Sequence, residues 1–155
     1  MPTYETTRRV PFTAEQMFAV VADVERYPEF VPLCEELRVT ARNASDVETN
    51  LTAIMAVGYG AIRERFTSRV TLRPGQREID VVKIDGPFAR LINRWRFCDV
   101  PGGCEVYFHI DYAFSSRVLS MLMGAMFDKA VRKYTEAFEA RARLIYGKNV
   151  ATPTT

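Results

Sequence analysis

The stretch RVLSMLMGAMFDKAVRKYTEAFEARARLIY, residues 117–146, decides the fold that this sequence predicts. It contains no proline and one glycine, and therefore predicts a single helix roughly 45 Å long. Gly147 is a typical helix stop, and the polar residues 148–155 are expected to form a disordered tail. Residues 118–127 are apolar nearly all round, although a cover helix needs only one apolar stripe. The surplus predicts contact with a cavity mouth, a dimer partner or a bilayer surface, or plain packing of a doubly buried helix.

Upstream of this helix, apolar and polar residues alternate with the period of β-strands. Residues 61–73 place aliphatic and aromatic side chains on one face and arginines and threonines on the other, which is typical of an antiparallel strand with one wet face. The other predicted strands are 3–10, 35–43, 46–57, 77–85, 91–100 and 104–114. The run 77–85 leaves its inner face open between two pairs, namely Ile79 with Val81 and Val82 with Ile84.

The first strand and the rest of the sheet are separated by a short helical segment. Thr13 and Gln16 form a capping-box signature at its start, and the helix should end before Pro28. Because one face of the predicted sheet is apolar, that face needs a cover, and the C-terminal helix is long enough to provide it. The predicted fold class is α+β: a curved antiparallel sheet wrapped around a long C-terminal helix, in one domain over residues 1–147, with room for a ligand between them.

Bulk composition narrows the possible function classes. A chain of 155 residues suits one domain, and its net charge of +2 gives no reason to expect DNA as a partner. The sequence has no apolar run of about 18 residues and no signal or transit segment. These features predict a cytoplasmic protein, with peripheral contact at the inner membrane as an open possibility.

Few residues are candidates for chemistry. With one histidine and no CxxC pair, Cys34, Cys98 and Cys104 predict free thiols and no metal site. His109 has the parity of the outer, wet face, whereas Glu64 has the parity of the apolar face and could hold or protonate a polar ligand group. No nucleophile triad, phosphate loop or dinucleotide fingerprint is present, so we expect a protein that is not an enzyme.

The outer face of the predicted sheet carries several arginines. They could form a basic patch for a phosphate-bearing partner, or simply a solvated sheet face. The residues in question are Arg63, Arg65, Arg69, Arg94 and Arg96.

Three segments resemble a known family. They are Tyr27–Pro32 (YPEFVP), Glu64–Val70 (ERFTSRV) and Gly86-Pro87-Phe88 leading to Trp95-Arg96-Phe97. Together they resemble the coenzyme Q-binding START-like family of the polyketide cyclase/dehydrase superfamily, over roughly residues 3–146. The resemblance implies a helix-grip fold with a hydrophobic tunnel under the C-terminal helix. It also implies non-catalytic binding of ubiquinone or a similar apolar lipid, as a bound ligand rather than a cofactor, in support of respiratory electron transport.

The same resemblance leaves two alternatives open. Members of this branch are similar to a bacterial ribosome association toxin said to block subunit joining, which implies a translation inhibitor that would use the outer arginines. The wider superfamily implies an aromatic polyketide cyclase or dehydratase, for which Glu64 is the candidate acid or base. For the leading hypothesis of an apolar ligand in the pocket, the residues expected to contact the ligand are Phe30, Met55, Glu64, Phe66, Trp95, Phe97, Phe108, Ile110, Tyr112, Leu122 and Met126.

Overall fold

The computed structural model describes the backbone of residues 3–151 and the side chains of residues 3–147. The strands are β1 (Thr3–Val10), β2 (Cys34–Ala44), β3 (Thr49–Tyr59), β4 (Ile62–Arg73), β5 (Glu78–Asp85), β6 (Phe88–Val100) and β7 (Gly103–Phe114). The helices are α1 (Ala14–Ala22), a 3-10 helix (Val24–Glu29), α2 (Arg117–Val131) and α3 (Tyr134–Ala151). No helix within these residues is long and apolar enough to cross a bilayer.

The seven strands form one antiparallel sheet in the order β1-β7-β6-β5-β4-β3-β2. Chain neighbours from β2 to β7 pair as hairpins, and β1 pairs with β7. Register shifts interrupt three of these pairings, for example between Val39 and Ala41 of β2. Such bulges bend the strand that carries them and increase its twist. The predicted α+β class and the curved antiparallel sheet that packs against C-terminal helices are confirmed.

The predicted start of the first helix is confirmed in the structure. The Thr13 hydroxyl accepts a hydrogen bond from Gln16 N at 3.0 Å, and the Gln16 side chain accepts one from Thr13 N at 3.0 Å. This reciprocal cap confirms the predicted helix start.

On β5, Ile79 is buried and Val81 packs against the core, whereas Val82 and Ile84 are exposed. The sequence left open which pair of residues forms the inner face of β5. In the structure this pair is Ile79 and Val81.

The C-terminal helix differs from the prediction of one continuous element. It is broken at Arg132 and Lys133, where Lys133 N donates to Ala130 O at 3.0 Å, one residue short of the α-helical partner. No proline or glycine lies there; the cause is tertiary. α2 packs on β7 and α3 packs on α1, and the Arg132 guanidinium at the break lies 4.9 Å from the centre of the Tyr4 ring.

The helix end also differs from the prediction. α3 continues through Gly147 to Ala151, so Gly147 is not the stop. A glycine inside a helix costs about 1 kcal/mol relative to alanine, and this cost does not end the helix. The backbone of residues 148–151 is therefore helical rather than part of a disordered tail. The predicted disorder of residues 152–155 stays a prediction, since these residues lie outside the described part of the chain.

The three cysteines are free, as predicted. Cys34 and Cys104 are buried, and burial raises the pKa of the Cys34 thiol to about 12 and that of Cys104 to about 11. Cys98 is exposed, and it pairs with Glu105 rather than with Cys104 across the β6–β7 hairpin. Cys98 and Cys104 therefore lie on opposite faces of the sheet, which confirms the parity argument.

Candidate ligand-binding site

An internal cavity of about 80 Å³ lies between the inner face of the sheet and the break in the C-terminal helix. The strands contribute most of its wall: Leu37, Ala53, Met55, Phe66, Ser68, Val70, Val81, Leu91, Asn93, Trp95 and Ile110. The 3-10 segment contributes Val24, Tyr27 and Val31, and the helices contribute Phe127, Tyr134 and Phe138. The cavity therefore lies where the predicted tunnel was expected, under the C-terminal helices.

Aromatic contacts hold the roof of this cavity in place. Phe138 of α3 is 1% exposed, and its ring centre lies 4.9 Å from that of Trp95, 5.1 Å from Phe30 and 5.2 Å from Tyr27. All three contacts are edge-to-face, the geometry that the aromatic quadrupole favours. Tyr134 lies one helical turn before Phe138, so both side chains point toward the sheet.

The turn before β6 fixes one wall of the cavity. Gly86 has φ +133°, and a Cβ there would lie 2.4 Å from Cβ of Phe66, so glycine is required for this close approach. The Phe88 ring that follows meets Phe66 edge-to-face at 5.1 Å. The Gly-Pro-Phe segment thus positions Phe66 against the cavity.

Four polar side chains interrupt the apolar wall. Asn93 is satisfied: its Nδ2 donates to His109 O at 2.9 Å, and its Oδ1 accepts from Trp95 Nε1 at 3.0 Å. The Tyr27 hydroxyl donates to Val21 O. Ser68 and Tyr134 also bring hydroxyl groups into the wall. These hydroxyls can form hydrogen bonds with a ligand.

The phenols of the cavity stay protonated. Burial raises the pKa of Tyr27 and of Tyr134 far above the ordinary tyrosine value. No aspartate, glutamate, histidine, lysine or arginine is among the described residues that line the cavity. A charged ligand group would lose its hydration there without an opposite charge in return, so the geometry favours a neutral guest.

The size of the cavity limits what this conformation can hold. An apolar cavity of about 150 Å³ is known to bind benzene, and the cavity here is about half that volume. A quinone ring with an isoprenoid chain therefore requires the walls to open. The break between α2 and α3 falls between the lining residues Phe127 and Tyr134.

The structure divides the predicted contact residues into three groups. Met55, Phe66, Trp95 and Ile110 line the cavity. Phe30, Phe97, Phe108 and Tyr112 belong to an aromatic layer just behind it, each with its ring centre 4.7–6.1 Å from that of a lining residue: Phe138, Trp95, Trp95 and Phe127, respectively. Glu64, Leu122 and Met126 do not line the cavity.

The structure corrects the prediction that Glu64, Leu122 and Met126 lie in the wall of the cavity. Leu122 is 55% exposed, because the inward stripe of α2 is formed by Met123, Phe127 and Ala130. Met126 is half-buried beside that stripe. Glu64 is half-buried and pairs with Val57 near the β3–β4 turn, so its inward parity does not bring it to the cavity.

Several residues of the cavity wall were not predicted from the sequence. Tyr134 and Phe138 are four residues apart on one helix, which is the spacing of a shared face, and Phe127 lies seven residues before Tyr134. That aromatic stripe was a usable signal. Tyr27 lies in a 3-10 segment with no periodicity, and no sequence pattern indicated which way its ring points.

The outer face of the sheet is a network of ion pairs. Arg63 Nε lies 2.9 Å from Glu35, Arg65 lies 3.3 Å from Glu36, and Arg96 lies 3.0 Å from Asp80. His109 lies on this face, 3.4 Å from Glu5. The arrangement fits a solvated sheet face better than an unneutralised basic patch.

Comparison with known proteins places this architecture in a family. Over residues 10–139 the chain matches the family described as polyketide cyclase / dehydrase and lipid transport. It is 33% identical to the ribosome association toxin RatA of Escherichia coli strain K12, over 94% of this chain and 90% of that protein. It is 31% identical to the coenzyme Q-binding protein COQ10 homolog B, mitochondrial, of Xenopus laevis, over 94% of this chain and 59% of that protein.

Solved structures of other proteins are similar to this chain as well. An 18 kDa protein from Caulobacter crescentus is 36% identical, with a TM-score of 0.77 over 95% of this chain and 99% of that one. A START superfamily protein from Mycobacterium smegmatis is 18% identical, with a TM-score of 0.75 over 92% of this chain and 98% of that one, and it shares the fold. The predicted helix-grip, START-like fold is confirmed, and the chain belongs to the polyketide cyclase/dehydrase and lipid transport family.

Proposed function

We propose that this protein binds ubiquinone or a similar neutral, apolar lipid in the cavity under the broken C-terminal helix, without catalysis, and so supports respiratory electron transport. The observation that carries the proposal is the cavity itself: within the described residues, its wall is apolar and free of charged side chains, and Ser68 and Tyr134 bring hydroxyl groups into it. The family's lipid transport description and the coenzyme Q-binding relative support the choice of ligand.

The chemistry of the wall suits such a ligand. Each buried CH₂ group of an isoprenoid chain contributes about 0.8 kcal/mol. A quinone carbonyl loses its hydration on burial and needs a donor, which Ser68 or Tyr134 can provide. Because the raised pKa keeps the Tyr134 phenol protonated, that group donates at any physiological pH.

A cyclase or dehydratase finds less support in the same wall. Acid–base catalysis requires a group whose pKa lies near the working pH. The titratable groups that line the cavity within the described residues are phenols with raised pKa values, and Glu64 lies elsewhere. We therefore propose a carrier rather than an enzyme.

The test is to identify what the purified protein carries. Extraction of freshly purified protein with organic solvent, followed by mass spectrometry, should yield a quinone in substantial molar ratio to the protein. A cytosolic protein purified in parallel from the same cells controls for free membrane lipid. Equal quinone in both extracts, together with no binding of added quinone, would contradict the proposal.

A second candidate function is association with the ribosome, which the similarity to the ribosome association toxin RatA of Escherichia coli favours. It would use the outer arginines, of which Arg69 is exposed and has no ion-pair partner within the described residues. Co-sedimentation with ribosomal subunits in sucrose gradients tests whether the protein binds the ribosome. If the candidate is right, charge reversal at Arg63 and Arg69 abolishes co-sedimentation and leaves quinone binding intact.

Contact with a membrane and a cytoplasmic location remain predictions. A carrier of a membrane lipid must collect and release it at a bilayer. The exposed apolar side chains of α2 that would make such contact are Val118, Met121 and Leu122.

A further inference from the structure

A second depression lies beside the inward stripe of α2. It is an open groove of about 600 Å³ between the end of β7 and α2. Its walls include Tyr112 and Phe114 of β7, Ser120 and Gly124 of α2, and Asp128 one turn further on. The groove therefore combines apolar surface with several hydroxyl groups.

A pair of aromatic rings joins the wall of the groove to the wall of the cavity. Phe127 lines the cavity and Tyr112 lines the groove. Their ring centres lie 4.7 Å apart, edge-to-face, and both residues are at most 3% exposed. The two spaces therefore meet at this contact.

The Tyr112 hydroxyl lies at this contact. Within the described residues it is the buried side-chain polar atom without a hydrogen-bond partner. Such a group bears the cost of desolvation with no hydrogen bond in return. Burial raises its pKa to about 12, so it is a protonated donor. Buried tyrosine hydroxyls ordinarily have a partner, and a ligand oxygen at the junction would supply it.

We infer that the groove and the cavity are two halves of one ligand site, with Phe127 where they meet and the Tyr112 hydroxyl as a donor to the ligand. The oxygen-bearing head of a neutral amphipathic molecule occupies the groove, and its apolar chain passes Phe127 into the cavity. This assignment rests on the proposed function and adds the orientation of the ligand. A neutral head fits because the charged residues of the groove, Arg117 and Asp128, have opposite signs.

Gly124 allows the groove to be closed selectively. Gly124 lines the groove, and a Cβ at this position meets only the Ser120 hydroxyl, at the ordinary contact distance of 3.8 Å. A helix interior also favours phenylalanine over glycine. Gly124→Phe should therefore fill the groove and keep the fold. Ala140→Phe, at an exposed position of α3, is the matched control.

The experiment is stopped-flow quenching of Trp95, the one tryptophan of the chain, by decylubiquinone. Gly124→Phe should slow quenching at least tenfold, and Ala140→Phe should match the wild type. Tyr112→Phe should weaken equilibrium binding about tenfold while the melting temperature stays equal or rises, because the substitution removes an unpaired hydroxyl. If Tyr112 serves packing alone, Tyr112→Phe keeps the ring and leaves the affinity unchanged, which would overturn its role as a donor.

The outcomes separate this inference from the proposed function. Quinone uptake with equal rates in wild type and Gly124→Phe overturns the two-part site and leaves the carrier function standing. If wild type takes up no quinone, a long-chain bromoalkyl alcohol replaces it as a neutral amphipathic quencher. Uptake of that probe, slowed by Gly124→Phe, supports the two-part site with a different ligand; no uptake of either probe overturns both.

Discussion

Replacing Phe138 by alanine is expected to lower the free energy of unfolding by about 3–5 kcal/mol, the usual cost of truncating a buried phenylalanine. The ring is 1% exposed and meets Trp95, Phe30 and Tyr27 edge-to-face. It therefore joins α3 to the sheet and to the 3-10 segment at once. Because domains are stable by only about 5–15 kcal/mol, this one change should remove a large fraction of the total.

Urea denaturation followed by circular dichroism measures this loss. Leu144→Ala on the same helix is the control, since Leu144 is 73% exposed and surface substitutions usually stay within about 0.5 kcal/mol. An equal slope in both variants would show that only stability changed. A loss below about 1 kcal/mol for Phe138→Ala would mean that α3 is not held by this contact.

Filling the cavity from the sheet side is expected to abolish ligand binding. Ala53 is 2% exposed and its methyl group lies in the cavity wall. Ala53→Leu places three further carbons in the space of about 80 Å³ rather than against packed atoms. We expect quinone affinity to fall at least tenfold, which corresponds to about 1.4 kcal/mol, while stability falls by no more than about 1–3 kcal/mol.

Equilibrium dialysis with a short-chain ubiquinone checks this result. Ala41→Leu, at an exposed position of the neighbouring strand, adds the same carbons outside the cavity and should bind as the wild type does. Unchanged affinity in Ala53→Leu would place the ligand somewhere other than this cavity.

The sheet was predictable because each strand buries one face and wets the other. Parity alone placed Met55, Phe66, Trp95 and Ile110 toward the interior, where the cavity wall contains all four. Parity failed for Glu64, since it tells which face a residue occupies and not how far along the strand the cavity extends. An inward position near a hairpin end can lie beyond the cavity.

The residues that the helices contribute to the site could be predicted from the sequence less well than those of the strands. No residue at 132–133 signals the break, because its cause is the packing of α2 and α3 on different partners. The apolar surplus of residues 118–127 hides the inward stripe, so the sequence points to Leu122, whereas Phe127 lies in the wall. A stripe is ambiguous where most positions are apolar, and only the packed structure resolves it.

The fluorescence of Trp95 during titration with a short-chain ubiquinone tests the central claim most directly, because this tryptophan is the only one in the chain and lies in the cavity wall. A ligand bound between the sheet and the broken helix should quench its emission in a saturable way, with an endpoint near one quinone per protein. Unchanged emission at quinone concentrations that saturate dialysis binding, or no binding in either measurement, would contradict the account.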